Sequence, residues 1–345
     1  MSEHVIYDRH HFSRTAVITN SAAEFVPRGS GKKKRPRADA ATIKPVANSF
    51  SSLKKIDAGV LSMGYAETGP TNGPAVVLLH GWPYDIHSFF DVAPLLAAVG
   101  YRVIVPHLRG HGTTRFLATE TVRMAQPSVL AVDIVALMDA LRIKQAILAG
   151  FDWGAQTANI IAALWPERVK AMVSVNGYPI DNRERSQLSS SPPADRWWFQ
   201  FYTATEPGRT GYGTNRNDFA KLMWKMNSPK WDFDKATFDR TAASFNNPDH
   251  ASIVLHNYRW RMGAAEGDPR YDDLEKRLAE DPVIAVPTIT LDGDSDGVTP
   301  ASDGASYEKK FSGRHRHQIL RGIGHNLPQE APREFANAIV EVDGY

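Results

Sequence analysis

Gly150-Phe151-Asp152-Trp153-Gly154 is the stretch on which the reading of this chain turns. It follows Gln145-Ala146-Ile147-Leu148-Ala149, whose short apolar run reads as a fully buried strand. After it, Ala155 to Trp165 carries Ala, Ile and Leu at helical spacing until Pro166 ends the helix. Strand, glycine-flanked turn, helix makes a tight elbow. The glycines let the backbone turn sharply beside a neighbouring strand, and the side chain between them is pushed out over the end of the sheet. In the common version that side chain is serine; here it is Asp152. A carboxylate can attack a saturated carbon and leave an ester, which water must then cleave. The same pentapeptide also suits a plain turn on an ordinary α/β strand, so the partners of Asp152 decide.

An ester on Asp152 needs a general base for its hydrolysis, and histidine is the usual choice near neutral pH. Of twelve histidines, His325 stands out, in the loop Gly322-Ile323-Gly324-His325-Asn326-Leu327-Pro328 between the last strand and the last helix. His80 leads a His-Gly turn and has a structural alternative to a place in the substrate site. His107 and His111 flank a loop. The base in turn needs an acid to fix its tautomer. Asp292, Asp294 and Asp296 all follow the strand ending at Leu291, and Asp296, beyond the turn, is favoured. The order Asp152, Asp296, His325 then runs nucleophile, acid, histidine. Backbone N–H groups of Trp153 and of Trp82, in His80-Gly81-Trp82-Pro83, are the candidate oxyanion donors.

The surrounding pattern is α/β. Ala75 to Leu79 and Tyr101 to Val105 are continuous apolar strands, with a helix expected over Phe89–Val99 between them. An amphipathic helix is expected over Pro127–Leu141, followed by the elbow strand and a strand at Ala171–Val175. Alternation of this kind implies a parallel sheet covered on both faces, with functional loops at the strands' carboxyl ends. Ile56–Glu67 reads as strands punctuated by Gly59 and Gly64. Residues 180–283, rich in Trp, Phe, Arg and Asn, break the alternation and read as a helical lid inserted between two strands. The pattern resumes with strands at Val286–Leu291 and His317–Leu320, a helix at Tyr307–Phe311 and a closing helix at Ala331–Val342. The expected division is a basic extension over 1–50, a core over 51–179 and 284–345, and the lid between them.

Composition narrows the class. The 345 residues carry 42% hydrophobic and 23% charged residues, ample for a buried core. There is no cysteine, so thiolate chemistry and disulfides are excluded. The net charge of +2 is misleading, because residues 1–42 hold eight Lys/Arg against four Asp/Glu. The remainder carries a net −2 and shows no nucleic-acid signature. The run Lys32-Lys33-Lys34-Arg35-Pro36-Arg37 reads as a solvated, disordered tail in preference to a nuclear-localisation or polyanion-binding patch. Arg9 to Arg14 is only a degenerate echo of a twin-arginine signal, so the expected compartment is cytoplasmic, with periplasmic export the weaker alternative. No apolar run approaches the roughly 20 residues of a membrane span.

His80-Gly81-Trp82-Pro83 together with Gly150-Phe151-Asp152-Trp153-Gly154 resembles the α/β-hydrolase superfamily, over roughly residues 52–343. The resemblance is to the branch of epoxide hydrolases and haloalkane dehalogenases, which use Asp as nucleophile. Dehalogenases usually have Asn after His-Gly, where this chain has Trp82, as an aromatic residue stands in epoxide hydrolases. The resemblance implies lid tyrosines that hydrogen-bond the epoxide oxygen. Leu255-His256-Asn257-Tyr258-Arg259 resembles the segment bearing one of them, which makes Tyr258 the first choice. The other belongs near Trp198-Phe199-Gln200-Phe201-Tyr202, where Phe199 replaces the expected tyrosine and Tyr202 is the substitute candidate. Trp198 and Phe199 are then expected at the substrate. The implied reaction is hydrolysis of an apolar epoxide to a diol, with water as the only co-reactant and no metal or organic cofactor. Organohalide hydrolysis, or a non-catalytic binding protein on the same fold, are the alternatives, and a homodimer is left open.

Overall fold

The computed structural model describes residue 50, residues 52–180 and residues 194–345. The readings of the basic tail lie outside the described residues. The first strands are β1 (Lys54–Ala58), β2 (Leu61–Thr68) and β3 (Ala75–Leu79). Helix α1 (Val92–Ala98) leads to β4 (Arg102–Pro106) and the short β5 (Arg115–Phe116). Then come α2 (Pro127–Ala140), β6 (Ala146–Gly150), α3 (Trp153–Leu164) and β7 (Val169–Val175). The sheet resumes much later, with β8 (Thr288–Gly293) and β9 (His315–Leu320). Strand order is β1-β2-β4-β3-β6-β7-β8-β9, with β5 on β2. The pairs β1–β2, β2–β4 and β2–β5 are antiparallel, and every pair from β4 to β9 is parallel.

The parallel strands lack polar alternation because both faces are covered. Side chains of a strand point to opposite faces in turn. Val77, Leu79, Ile104, Leu148 and Met172 thus pack into one core with α2 and α3. Val76, Leu78, Val103, Ile147 and Val173 pack into the other, with α1 and the closing helix at Pro332–Val342. Each fully buried Leu or Ile contributes about 1.5–3 kcal/mol. The sheet is held from both sides.

Between β7 and β8 lie the described helices α4 (Ala194–Ala204), α5 (Glu206–Asn227), α6 (Lys235–Ala242), α7 (His250–Arg261) and α8 (Asp272–Ala279). Helix α4 is kinked at Trp197 and α5 at Asn215, where the backbone leaves helical angles. After β9 come α9 (Leu327–Glu330) and α10 (Pro332–Val342). No helix among the described residues is long and apolar enough to cross a membrane.

Two local expectations need correction. Gly64 does not punctuate a strand; it lies inside β2, where an added Cβ would run into the Thr113 side chain. Tyr307–Phe311 holds only a three-residue 3₁₀ turn at Glu308–Lys310. Tyr307 and Phe311 are instead drawn to the sheet, where Phe311 stacks on His315 at 4.3 Å.

Candidate active site

The elbow forms where β6 ends at Gly150 and α3 begins at Trp153. Asp152 between them has φ 53° and ψ −126°. A non-glycine residue held there stores about 1–3 kcal/mol of backbone strain. The close fit that holds it depends on Gly154, where a Cβ would collide with the Leu79 carbonyl of the adjacent strand β3. Gly81 plays the same part on the β3 side, since a Cβ there would collide with the Asp152 side chain. The clearance brings the Trp82 N–H to Asp152 Oδ1, donating at 2.7 Å. The Trp153 N–H stands at the first position of α3, where a helix supplies no carbonyl partner.

The other carboxylate oxygen faces the β9 loop. His325 Nε2 donates to Asp152 Oδ2 at 3.3 Å, and Nδ1 donates to Asp296 Oδ2 at 2.8 Å. Asp296 is fixed independently: its Oδ1 accepts the N–H groups of Val298 and Thr299 at 2.7 and 2.9 Å, and its Oδ2 accepts Asn176 Nδ2 at 3.1 Å. Asp294 turns away to the Gly322 N–H, and Asp292 to the Ser302 N–H. Burial by itself would depress the imidazole of His325. The Asp296 charge and the bonds to both carboxylates outweigh it and raise the pKa to about 10. At neutral pH His325 is therefore an imidazolium between two carboxylates.

Tyr258, on α7, reaches the same cavity. Burial, and then the Asp152 charge, push its phenol well above its ordinary range, so it remains a protonated donor. It packs edge-on to Trp82 at 5.0 Å and to Phe199 at 5.2 Å. The cavity, about 790 Å³, is lined by Asp152, Trp153, Tyr258 and His325 and walled by Trp197, Phe199 and other side chains of the insertion. That volume suits a drug-sized ligand.

Three side chains singled out from sequence stand elsewhere. Tyr202 stacks on Phe219 at 5.7 Å with its hydroxyl over Gly211, and does not line the cavity. Trp198 leans on the same Phe219 at 5.5 Å and does not line the cavity, which Trp197, Phe199, Gln200 and Phe201 reach instead. His80 is buried behind the elbow: Nδ1–H donates to Gly81 O at 2.9 Å, and Nε2 accepts the Leu108 N–H at 3.1 Å. With both ring nitrogens occupied and burial holding its pKa well below the usual range, His80 is a neutral brace for the His-Gly turn.

Other contacts around the site had no sequence signal. Glu330 accepts the N–H groups of Gly324 and Asn326, on either side of His325, and the Ser228 hydroxyl. The Asn227 carbonyl, at the end of α5, accepts N–H groups from both Gly297 and His325, so the insertion ties the acid loop to the histidine loop. The Trp82 indole donates to Tyr212 Oη at 2.9 Å, and Tyr212 bonds His250 Nε2 at 2.8 Å. Apart from the bonds of Glu330 within its own loop, which span 4 and 6 positions, these links join residues 38 to 130 positions apart, which no local periodicity can reveal. A carboxylate nucleophile with a paired histidine and flanking N–H donors can form and then hydrolyse a covalent ester.

Comparison with known proteins agrees with this fold. Residues 74–332 match the family described as the alpha/beta hydrolase fold. Epoxide hydrolase A of Mycobacterium tuberculosis is 26% identical over 310 residues, covering 83% of this chain and 95% of that protein. Epoxide hydrolase B of the same organism is 34% identical over 151 residues, a match spanning 39% of this chain and only 41% of that protein. A crystal structure from Klebsiella pneumoniae subsp. pneumoniae, of a protein provisionally named an epoxide hydrolase, superposes with a TM-score of 0.84. It is 53% identical, over 87% of this chain and 99% of that one. The chain belongs to the α/β-hydrolase fold family, among relatives that carry the name epoxide hydrolase.

Proposed function

We propose that this protein hydrolyses an epoxide to a diol through an ester on Asp152. One observation carries the reading: a carboxylate pinned by the Trp82 N–H on Oδ1 and paired with His325 on Oδ2, in one cavity with the protonated Tyr258. In the first half-reaction Asp152 Oδ2 attacks an epoxide carbon as its C–O bond breaks. Tyr258 gives its proton to the departing oxygen. The His325 proton then restores the phenol, directly or through water. The imidazolium of the free enzyme thus supplies the proton that the epoxide oxygen keeps.

That step also converts His325 into a base. Asp152, once esterified, has lost its charge, so one support of the imidazolium is gone and the pKa falls below the free enzyme's value of about 10. Neutral His325, oriented by Asp296, takes a proton from water, which attacks the ester carbonyl. Negative charge develops on Oδ1, already bonded to the Trp82 N–H, with the Trp153 N–H as the second donor. Collapse releases the diol and restores both the carboxylate and the imidazolium. Atoms and protons balance over the cycle: epoxide plus water gives diol.

The two half-reactions should therefore respond to pH in opposite senses. Stopped-flow tryptophan fluorescence should show ester formation sustained on the neutral side and falling as pH rises through about 10. Ester decay should rise with pH, with a midpoint lower than that. A decay midpoint equal to or above the formation midpoint would contradict the assignment. Tyr258→Phe removes the proton donor and should slow ester formation by about 10²–10³-fold, the usual loss for one transition-state donor. Ester decay should change far less. A Tyr258→Phe enzyme that forms the ester at the normal rate would remove Tyr258 from the mechanism.

A further inference from the structure

One cation on the cavity wall has no part in this chemistry. Arg261 ends α7 and lines the same cavity as Asp152, Tyr258 and His325. It follows Tyr258 by three residues, so the two side chains share a helix face, about 4.5 Å apart along the axis. Arg261 Nε donates to Asn257 Oδ1 at 2.9 Å, and Nη2 donates to Gln156 Oε1 at 2.5 Å. Gln156 is oriented for that role by donating its own Nε2 to Pro179 O at 3.0 Å.

Both acceptors are neutral. No carboxylate among the described residues lies within ion-pair distance of this guanidinium: Glu275 acts on it only through space, its Oε1 held by Ser128, and the one carboxylate on the cavity wall, Asp152, is paired with His325. A guanidinium has five donors, so two bonds leave three for a ligand, two of them on Nη1. A tie from α7 to two amide oxygens requires no formal charge. A cation beside aromatic walls is better satisfied when an anion joins it, and the planar fork matches a carboxylate.

We propose that the substrate is an epoxide that also carries a carboxylate, which Arg261 holds while Tyr258 receives the epoxide oxygen. The two groups stand several bonds apart on the molecule, joined by an apolar segment lying along Trp197 and Phe199. This inference rests on the epoxide-opening reading, and the test separates the two.

The probes are phenylbutyrate and its methyl ester, which are unreactive and differ in charge, with binding followed by tryptophan fluorescence. The acid should bind the unaltered protein about 10- to 100-fold more tightly than the ester, the range for one charge-assisted bond. Added salt should shrink that preference. Arg261→Gln should bring the ratio near one, and Arg261→Lys should keep part of it. Equal binding of acid and ester to the unaltered protein overturns the proposal without any variant having to fold. So does a preference that survives Arg261→Gln. A short epoxy acid, 6,7-epoxyheptanoic acid, and its methyl ester are assayed alongside. Diol from both at equal efficiency removes the carboxylate and leaves epoxide opening standing. Acid-selective binding with no diol from either overturns the epoxide assignment and leaves only an anion subsite.

Discussion

Asp152→Ala should abolish turnover, a loss on the order of 10⁴-fold or more by comparison with other nucleophile deletions. No second carboxylate stands ready to replace it. Asp152 is the only acidic side chain on the cavity wall among the described residues, and Asp296 lies behind His325 with both oxygens bonded. The loss should be purely chemical. Alanine at 152 keeps the strained φ that the two glycines already accommodate, so the elbow should persist and circular dichroism should be unchanged. His325 loses a counter-ion in this variant, so its pKa should fall from about 10. The variant should therefore contain a competent base and no nucleophile. Diol formation within a hundredfold of normal would mean that His325-activated water opens the ring directly.

Asp296→Asn should be nearly as damaging, although it changes one atom. The two loop N–H groups of Val298 and Thr299 hold one carboxylate oxygen, and an asparagine must leave its only oxygen there. Its NH₂ then faces Asn176 Nδ2, itself a donor, and His325 Nδ1. Nδ1 is forced to accept, and the remaining proton sits on Nε2, the atom that should take a proton from water. Locking a histidine in the wrong tautomer by this substitution costs about 10⁴ in kcat in a serine-protease triad. A comparable fall is expected here, with KM little changed. Ester formation should be less impaired than ester decay, because tautomer control matters when His325 acts as the base. An Asp296→Asn enzyme within tenfold of normal would show that another acid orients the histidine.

Much of this was legible in the sequence, and the reasons are physical. The strands at Ala75–Leu79 and Ala146–Gly150 are unbroken apolar runs because both faces of the sheet are covered, and that pattern survives in one dimension. The elbow is legible because only glycine tolerates the approach of Gly154 to the Leu79 carbonyl. Asp296 could be placed beyond β8 from sequence, but its advantage over Asp294 is a matter of which way a turn faces. Tyr202 misled for a related reason. Trp198 and Tyr202 stand one helical turn apart and share a face, and that face lies on Phe219 while Phe199 turns to the cavity. Arg261 with Gln156, and Glu330 with Ser228, are tertiary pairs about 100 residues apart and leave no trace in local pattern.

The most direct test is the intact mass of His325→Ala after incubation with an epoxide, and separately with a bromoalkane. Without its base the protein should form the ester and fail to release it. A mass gain equal to the whole epoxide, mapped by proteolysis to Asp152, is the expected result. Gain of the alkyl group alone from the bromoalkane, with bromide released and no epoxide adduct, would assign the same nucleophile to carbon–halogen cleavage. A folded variant that acquires no mass from either compound would contradict covalent catalysis by Asp152.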